Sequence, residues 1–198
     1  HHYYTGTDIS PRAAVNFTVA PGHVIRLGVS QATRSPTFFE EEGNQVYLLE
    51  SGGLADMYTV PSQGLEPERI LSREIGYVGF WRPVGLELDV RVFQDKINDF
   101  IGQQKGNFFP DTGSILSANE FQYQNLGSVK SWGGEIELRW KPSRAVDVSA
   151  HYARVTVEAN TTRQNYNEDI PLSVPSESWG LLAAYRMGNG WEASLGAW

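Results

Sequence analysis

The sequence predicts an all-β protein: an antiparallel transmembrane β-barrel fragment of about eight strands with short periplasmic turns and long extracellular loops. Three observations lead there. Segments of strand length alternate apolar and polar residues with a period of two. The connections between them alternate strictly between short and long. Aromatic residues gather near strand ends on the apolar face, where Tyr77, Trp81, Trp140, Tyr152, Trp179, Tyr185 and Trp191 would form the girdles that meet the membrane interfaces.

From Ser10 to Ala20, Ala13, Val15, Phe17 and Val19 alternate with Ala14, Asn16 and Thr18, the signature of a strand wet on one side. Pro21-Gly22 makes a tight turn, because proline presets its backbone angle and glycine accepts positive φ. A second strand, His23 to Ala32, sets Ile25, Leu27 and Val29 against Arg26, Gly28 and Ser30. Thr33 to Glu68 shows no sustained period and reads as a long loop, a length that in a compact domain marks function. The clearest hairpin follows. Ile70 to Trp81 carries Leu71, Ile75, Tyr77 and Trp81 on one face, Arg82-Pro83-Val84-Gly85 turns, and Leu86 to Ile101 opposes Leu86, Leu88, Val90 and Val92 to Glu87, Asp89 and Arg91.

Gly102 to Asn119 reads as the second long loop, with Phe108-Phe109-Pro110 in it. Phe121 to Trp140 is a long strand in which Gly127 and Gly133-Gly134 mark bulges or close approaches. Its lower part alternates Ile136, Leu138 and Trp140 with Glu135, Glu137 and Arg139. Lys141 to Arg144 turns the chain into Val146, Val148, Ala150 and Tyr152, set against Asp147, Ser149 and His151. Glu158 to Ser176 is the third long loop. The last hairpin runs through Trp179, Leu181, Ala183 and Tyr185, turns at Gly188-Asn189-Gly190, and returns through Trp191, Ala193, Leu195 and Ala197. Polar residues such as Arg26, Glu87, Asp89, Arg91, Glu135, Glu137, Arg139 and Asp147 share the opposite face and would line the lumen.

Composition is consistent with this reading and removes others. The chain has 198 residues, no Cys, 16 Lys and Arg against 23 Asp and Glu, and a net charge of -7. A disulfide framework and thiolate metal sites are excluded, and the scattered cations give no surface for nucleic acid. No window reaches the roughly 18 consecutive apolar residues of a membrane helix. A mean hydropathy of -0.36 fits a barrel, whose strands alternate lipid-facing and lumen-facing residues. His1-His2 receives no role.

Eight strands can also close a small complete barrel acting as an anchor or adhesin, and the same alternation fits a soluble sandwich. Strand direction favours a fragment. With short turns in the periplasm, the first strand runs inward and the eighth outward, so both termini lie at the extracellular end. Trp198 has the parity of Gly196, Ser194 and Glu192 and is not a closing aromatic of the apolar face.

The motifs resemble those of the TonB-dependent outer-membrane receptors, ferric siderophore type, in the later part of their barrel. Ser10-Pro11-Arg12 and Arg34-Ser35-Pro36 with Phe38-Phe39-Glu40 look like the family's Ser-Pro-Arg and Arg-x-Pro signals. Leu65-Glu66-Pro67-Glu68 before Glu74-Ile75-Gly76-Tyr77 is similar to its Leu-Lys-Pro-Glu and Glu-x-Gly-Tyr pairing. Lys96-Ile97-Asn98-Asp99-Phe100-Ile101 and Gly133-Gly134-Glu135-Ile136-Glu137 resemble its later strand signals. Ser62-Gln63 stand where Asn-Pro is usual, and Gly134 where an apolar residue is usual. The resemblance implies a barrel of about 22 strands closed by a plug, in the bacterial outer membrane, importing scarce ligands such as ferric siderophores with energy from TonB. Receptors of the same family for haem, cobalamin or carbohydrate share the barrel logic. Residues 1–198 would then be a partial barrel domain, with the lipid bilayer as one partner and TonB reached through a plug that this segment lacks.

No catalytic constellation and no cofactor motif is present, and enzyme is the weakest class. Glu40-Glu41-Glu42 reads as a solvated loop run in preference to a cation site. For an anionic ferric chelate, arginine offers a fixed fork of donors and aromatic rings offer flat faces. The leading cluster is therefore Arg34 with Phe38, Phe39, Tyr47 and Tyr58 in the first long loop. Phe108, Phe109, Phe121 and Tyr123 follow.

Overall fold

Strands that alternate in polarity must present each face to a different environment, and in a computed structural model of the chain they lie side by side in one sheet. Residues 6, 8–51, 54–62, 64–106 and 120–198 are described, with backbone alone for 54–58. The elements are β1 (Arg12–Ala20), β2 (His23–Arg34), α1 (Phe38–Glu42), β3 (Gln45–Leu48), β4 (Leu54–Thr59), β5 (Glu68–Trp81), β6 (Leu86–Gly106), β7 (Glu120–Trp140), β8 (Val146–Thr161), α2 (Gln164–Leu172), β9 (Glu177–Arg186) and β10 (Glu192–Ala197). The wall runs β1-β2-β5-β6-β7-β8-β9-β10, each strand antiparallel to its neighbour. These are the eight strands expected. Among the described residues β1 and β10 are the two ends of the wall, so no ring closes, and no second sheet covers it.

Register carries the alternation across the sheet. Phe17 opposes Ile25, Ile25 opposes Tyr77, and the row continues through Val90, Ile136, Tyr152 and Trp179. Phe17 is 63% exposed and Trp179 53%. Such a row has no protein to cover it, and lipid is the solvent that makes it stable. On the other face the strands carry an ion-pair ladder. Arg26 donates from Nη2 to both carboxylate oxygens of Asp89, at 2.6 and 2.9 Å, and Arg91 lies between Glu135 at 3.0 Å and Glu74 at 3.5 Å.

Several elements differ from the sequence expectation, each for a local reason. The first long loop holds α1 and the β3-β4 hairpin, and β4 touches β7 through a parallel bridge from Thr59 to Phe121. β6 continues past Ile101 to Gly106 because a bulge changes its parity: Ile97 pairs with Val129 and Phe100 next pairs with Gly127. Asp99 has φ 58° at that bulge and Gly127 has φ 140°. The third loop begins at 162, and it contains α2. Gly133 is a close approach, since an added Cβ would collide with the Arg154 carbonyl, but one at Gly134 would meet only ordinary contacts. The expected close approach is therefore present at Gly133 and not at Gly134.

Buried apolar side chains gather above the lipid-facing rows. Val60, Ile101, Leu126 and Val129 are buried, Val60 and Leu126 to 1% exposure. Here the first and third loops fold back on the extended β6-β7 pair, and protein replaces lipid as the covering medium. Val60 N–H donates to the Phe121 carbonyl at 3.0 Å, and Thr162 N–H donates to the Leu126 carbonyl at 2.8 Å.

Candidate functional site

The expected ligand cluster lies at the upper end of the wall, where β2, β5, β6 and β7 outrun the apolar rows. Its base is a clamp. Arg34, the last residue of β2, donates from Nε to Glu68 at 2.6 Å and from Nη1 to both Glu40 oxygens, at 3.1 and 3.0 Å. Glu68 is buried, and its second oxygen accepts from the Ile101 N–H at 2.8 Å. Glu40 also closes the capping box of α1, accepting from Thr37 N–H at 2.7 Å while Thr37 Oγ1 accepts from Glu40 N–H at 3.2 Å. One guanidinium thus ties the loop helix to strands β2, β5 and β6.

Glu41 completes the attachment. It is 3% exposed and accepts from the N–H groups of Gly64 and Leu65 at 3.0 and 2.9 Å, on the arm of the loop that returns to β5. The solvated-run reading of Glu40-Glu41-Glu42 is corrected for the first two: one is paired and capped, the other buried with two backbone donors. A carboxylate needs such partners when water is removed from it. No group of three His, Asp or Glu able to hold a metal ion occurs among the described residues.

The clamp is electrostatically matched. The hydrogen bonds and charge of Glu68 and Glu40 outweigh burial and hold the Arg34 guanidinium more firmly protonated than usual. Burial alone would raise the Glu40 carboxyl, but hydrogen bonds from Arg34 and Thr37 override it and the group sits below its ordinary 4.5. A carboxylate with a depressed folded value stabilises the fold fully above its unfolded value and loses that contribution as pH falls through the folded one. Amide exchange at Gly43 and Glu41, corrected for intrinsic rate, is therefore expected to accelerate below pH 4.5. Glu40→Gln should flatten that dependence.

Two of the expected aromatic clusters meet. Phe39 in α1 and Tyr123 in β7 stand edge to face, ring centroids 6.2 Å apart and planes at 76°, a geometry aromatic quadrupoles favour. Tyr123 Oη accepts from Gln103 Nε2 at 3.0 Å. Phe39 is 49% exposed and Phe38 72%, so flat apolar surface remains open beside the pair. Tyr47 lies in β3, with its Oη accepting from Gln45 Nε2 at 3.2 Å. Phe121 is half-buried in β7, with its backbone committed to Val60. Tyr58 is in β4, where backbone alone is described, and Phe108 and Phe109 lie outside the described residues. Arg34 is close in sequence to the aromatics, but its donors serve the clamp.

Sequence reasoning missed the contribution of the third loop. Arg163 donates to the Gln103 carbonyl and stacks 5.2 Å from the Tyr166 ring centroid. Tyr166 Oη accepts from Gln103 N–H at 2.9 Å, and its ring stands 6.0 Å from Phe100. Asn125 was likewise unmarked. Its amide exchanges two hydrogen bonds with the Glu66 backbone at 2.9 and 2.8 Å and donates to Asp99 O at 2.7 Å, holding the bulge. Asparagine in a strand has no periodic signal, whereas Tyr166 next to Asn165 and Asn167 could have been noticed as an aromatic in a polar loop.

Below the cluster, the polar face encloses an open concavity of about 580 Å³ that includes Arg12, Asn16, Arg26, Asp89, Arg91 and Glu135. Arg26 with Asp89, and Arg91 with Glu74 and Glu135, pair laterally across its wall.

Residues 1–198 match the family model described as "TonB dependent receptor-like, beta-barrel". No curated protein sequence matches the chain. Among solved structures, the siderophore receptor PirA from Pseudomonas aeruginosa superposes with a TM-score of 0.74 at 14% identity, covering 98% of this chain and 34% of that one. The haemophore receptor HasR of Serratia marcescens, solved with its haemophore HasA and haem, gives 0.68 at 16%, covering 91% and 30%. The FrpB iron transporter from Neisseria meningitidis, F5-1 variant, gives 0.67 at 16%, covering 94% and 26%. At these identities the likeness establishes the fold, and the chain spans about a third of those chains or less.

Proposed function

From a chain that belongs to the TonB-dependent receptor β-barrel family, whose members are transporters and receptors of the Gram-negative outer membrane, we propose a wall segment of an active importer of a ferric siderophore. Residues 1–198 act as a partial barrel domain. The complete protein draws its energy from TonB through a plug, and enzymatic turnover has no part in the function. The ligand is bound at the extracellular mouth by Phe38, Phe39, Tyr47 and Tyr58 of the first loop together with Phe108, Phe109, Phe121 and Tyr123, with Arg34 at the base.

The observation that carries this reading is the Phe39-Tyr123 contact, which joins the first loop's helix to β7 in one aromatic surface with half of Phe39 left open. Flat rings of this kind suit the apolar faces of a metal chelate, and the Arg34 clamp beneath them limits the ordering cost of binding. The charge of the Arg34 site is shared with two carboxylates, so the affinity rests on the aromatics.

The test is a binding panel on the full-length protein with ferric catecholate and hydroxamate siderophores, haem, cobalamin and a cupric chelate. A ferric siderophore should bind, and Phe39→Ala combined with Tyr123→Ala should weaken it about tenfold, the loss of one good aromatic contact set. Binding of haem or cobalamin alone reassigns the substrate. Binding of a ferric siderophore that is indifferent to both substitutions keeps the transporter and moves the site.

A further inference from the structure

On the outward face the apolar rows give way to cations. Arg69 and Arg73 of β5, Lys96 of β6 and Lys130 of β7 share the parity of Ile75, Val92 and Ile136, and so point the same way as the lipid-facing side chains. Lys96 stands directly across from Lys130. Arg73 and Arg69 are its diagonal neighbours, because they oppose Gln94 and Asn98. Like charges placed opposite one another on a sheet repel, yet among the described residues none of the four makes an ion pair. Glu158, across from Lys130 on β8, forms none with it. The lumen-facing Arg91 of β6, by contrast, lies in the charge ladder between Glu74 and Glu135.

The level of the cluster is also informative. From Leu86 to Lys96 β6 climbs roughly 33 Å at about 3.3 Å per residue, which at a tilt of about 40° is roughly 25 Å of height, the extent of the apolar band of such a barrel. β6 climbs away from its short turn, so Lys96 and Lys130 emerge at the outer headgroup layer. Trp132 lies one row below, facing lipid with an interfacial aromatic's placement, and Lys130 Nζ rests 4.9 Å from its ring centroid. The ring holds that ammonium in place without neutralising it.

We propose that Lys96 and Lys130, flanked by Arg69 and Arg73, bind the phosphate groups of lipid headgroups in the outer leaflet. A phosphate accepts charge-assisted hydrogen bonds from several of these donors at once, and its charge removes the repulsion between Lys96 and Lys130. The site is on the outside of the wall, separate from the loop aromatics, and does not depend on which ligand is imported.

The full-length protein is exchanged into mixed micelles of a neutral detergent containing phosphatidic acid or phosphatidylcholine of the same acyl chains, and retained lipid is counted by native mass spectrometry. Phosphatidic acid should be retained at least about tenfold better than phosphatidylcholine. Arg73→Gln should lower that preference about fivefold, and Lys96→Gln with Lys130→Gln should abolish it, given about 1 kcal/mol per interfacial cation. Lys96→Arg with Lys130→Arg should retain it, and excess inorganic phosphate should leave it unchanged. Equal retention of the two lipids, or an unchanged preference in the double Gln variant, overturns the proposal. Displacement by inorganic phosphate would reassign the site to soluble anions and overturn the lipid source.

Discussion

Arg34→Ala should release the base of the first long loop and expose the Ile101 amide to exchange. The substitution leaves Glu68, whose side chain is 7% exposed, with a backbone donor and no cation. Removing one partner of a fully buried pair costs about 3–5 kcal/mol, whereas an exposed pair contributes about 0–1 kcal/mol. Arg34 is 39% exposed, so water screens part of the interaction and a loss of about 2 kcal/mol is expected, between those limits. Hydrogen exchange at Ile101 and in α1 reads it directly. The same variant separates two roles for the residue. If Arg34 contacts ligand and the clamp is incidental, affinity falls while Ile101 stays protected. If the clamp is its task, protection is lost in the ligand-free protein as well. Arg34→Lys, which keeps the charge without the fork that reaches Glu40 and Glu68 together, should recover only part of the protection.

Leu126→Ala should cost about 3.5 kcal/mol, near the middle of the range for a fully buried leucine that leaves a cavity. Leu126 is 1% exposed in the small protein-covered core. Its Cδ1 lies where a side chain on Gly102 would be, next to the Tyr166 ring, and its carbonyl accepts from Thr162 N–H. The cavity should therefore loosen α2 first, read as faster exchange through 164–172 and a lower urea midpoint for the loop region. A lipid-facing control such as Leu195→Ala, 78% exposed, should have a much smaller effect, because lipid refills the space that a core cannot. An equal cost at both positions would contradict the view that the folded core sits above the membrane.

The wall was legible from sequence because its forces are local and repetitive. Phe17, Ile25, Val90 and Ile136 face lipid through a period of two that any single strand displays, and the short turns at Pro21-Gly22 and Arg82-Gly85 set each hairpin's register. The polar parity predicted for Arg26, Asp89, Arg91 and Glu135 holds as well, and their exposure to one side follows from the pleat. The site was less legible. Phe39 in the first loop and Tyr123 at the start of a strand could each be named as flat apolar surface, but nothing periodic connects α1 to β7. Glu41 read as solvated because a run of carboxylates is normally so; its burial depends on two backbone donors at Gly64 and Leu65 that no local pattern announces.

The Ile97-Phe100 bulge shows where the division falls. Up to Ile97, residue identity and parity alone determine which face each side chain takes, because hydrogen-bonded neighbours repeat the same two-sided environment of lipid and water. Past the bulge, with Asp99 at φ 58° and Asn125 holding its carbonyl, the strand pair rises beyond the membrane and is covered by loops. Which loop residue covers which strand residue was decided by the tertiary structure alone: Tyr166 with Gln103 and Phe39 with Tyr123. These contacts close across long stretches of chain, and their free energy exists only once the wall beneath has brought the ends of its strands together.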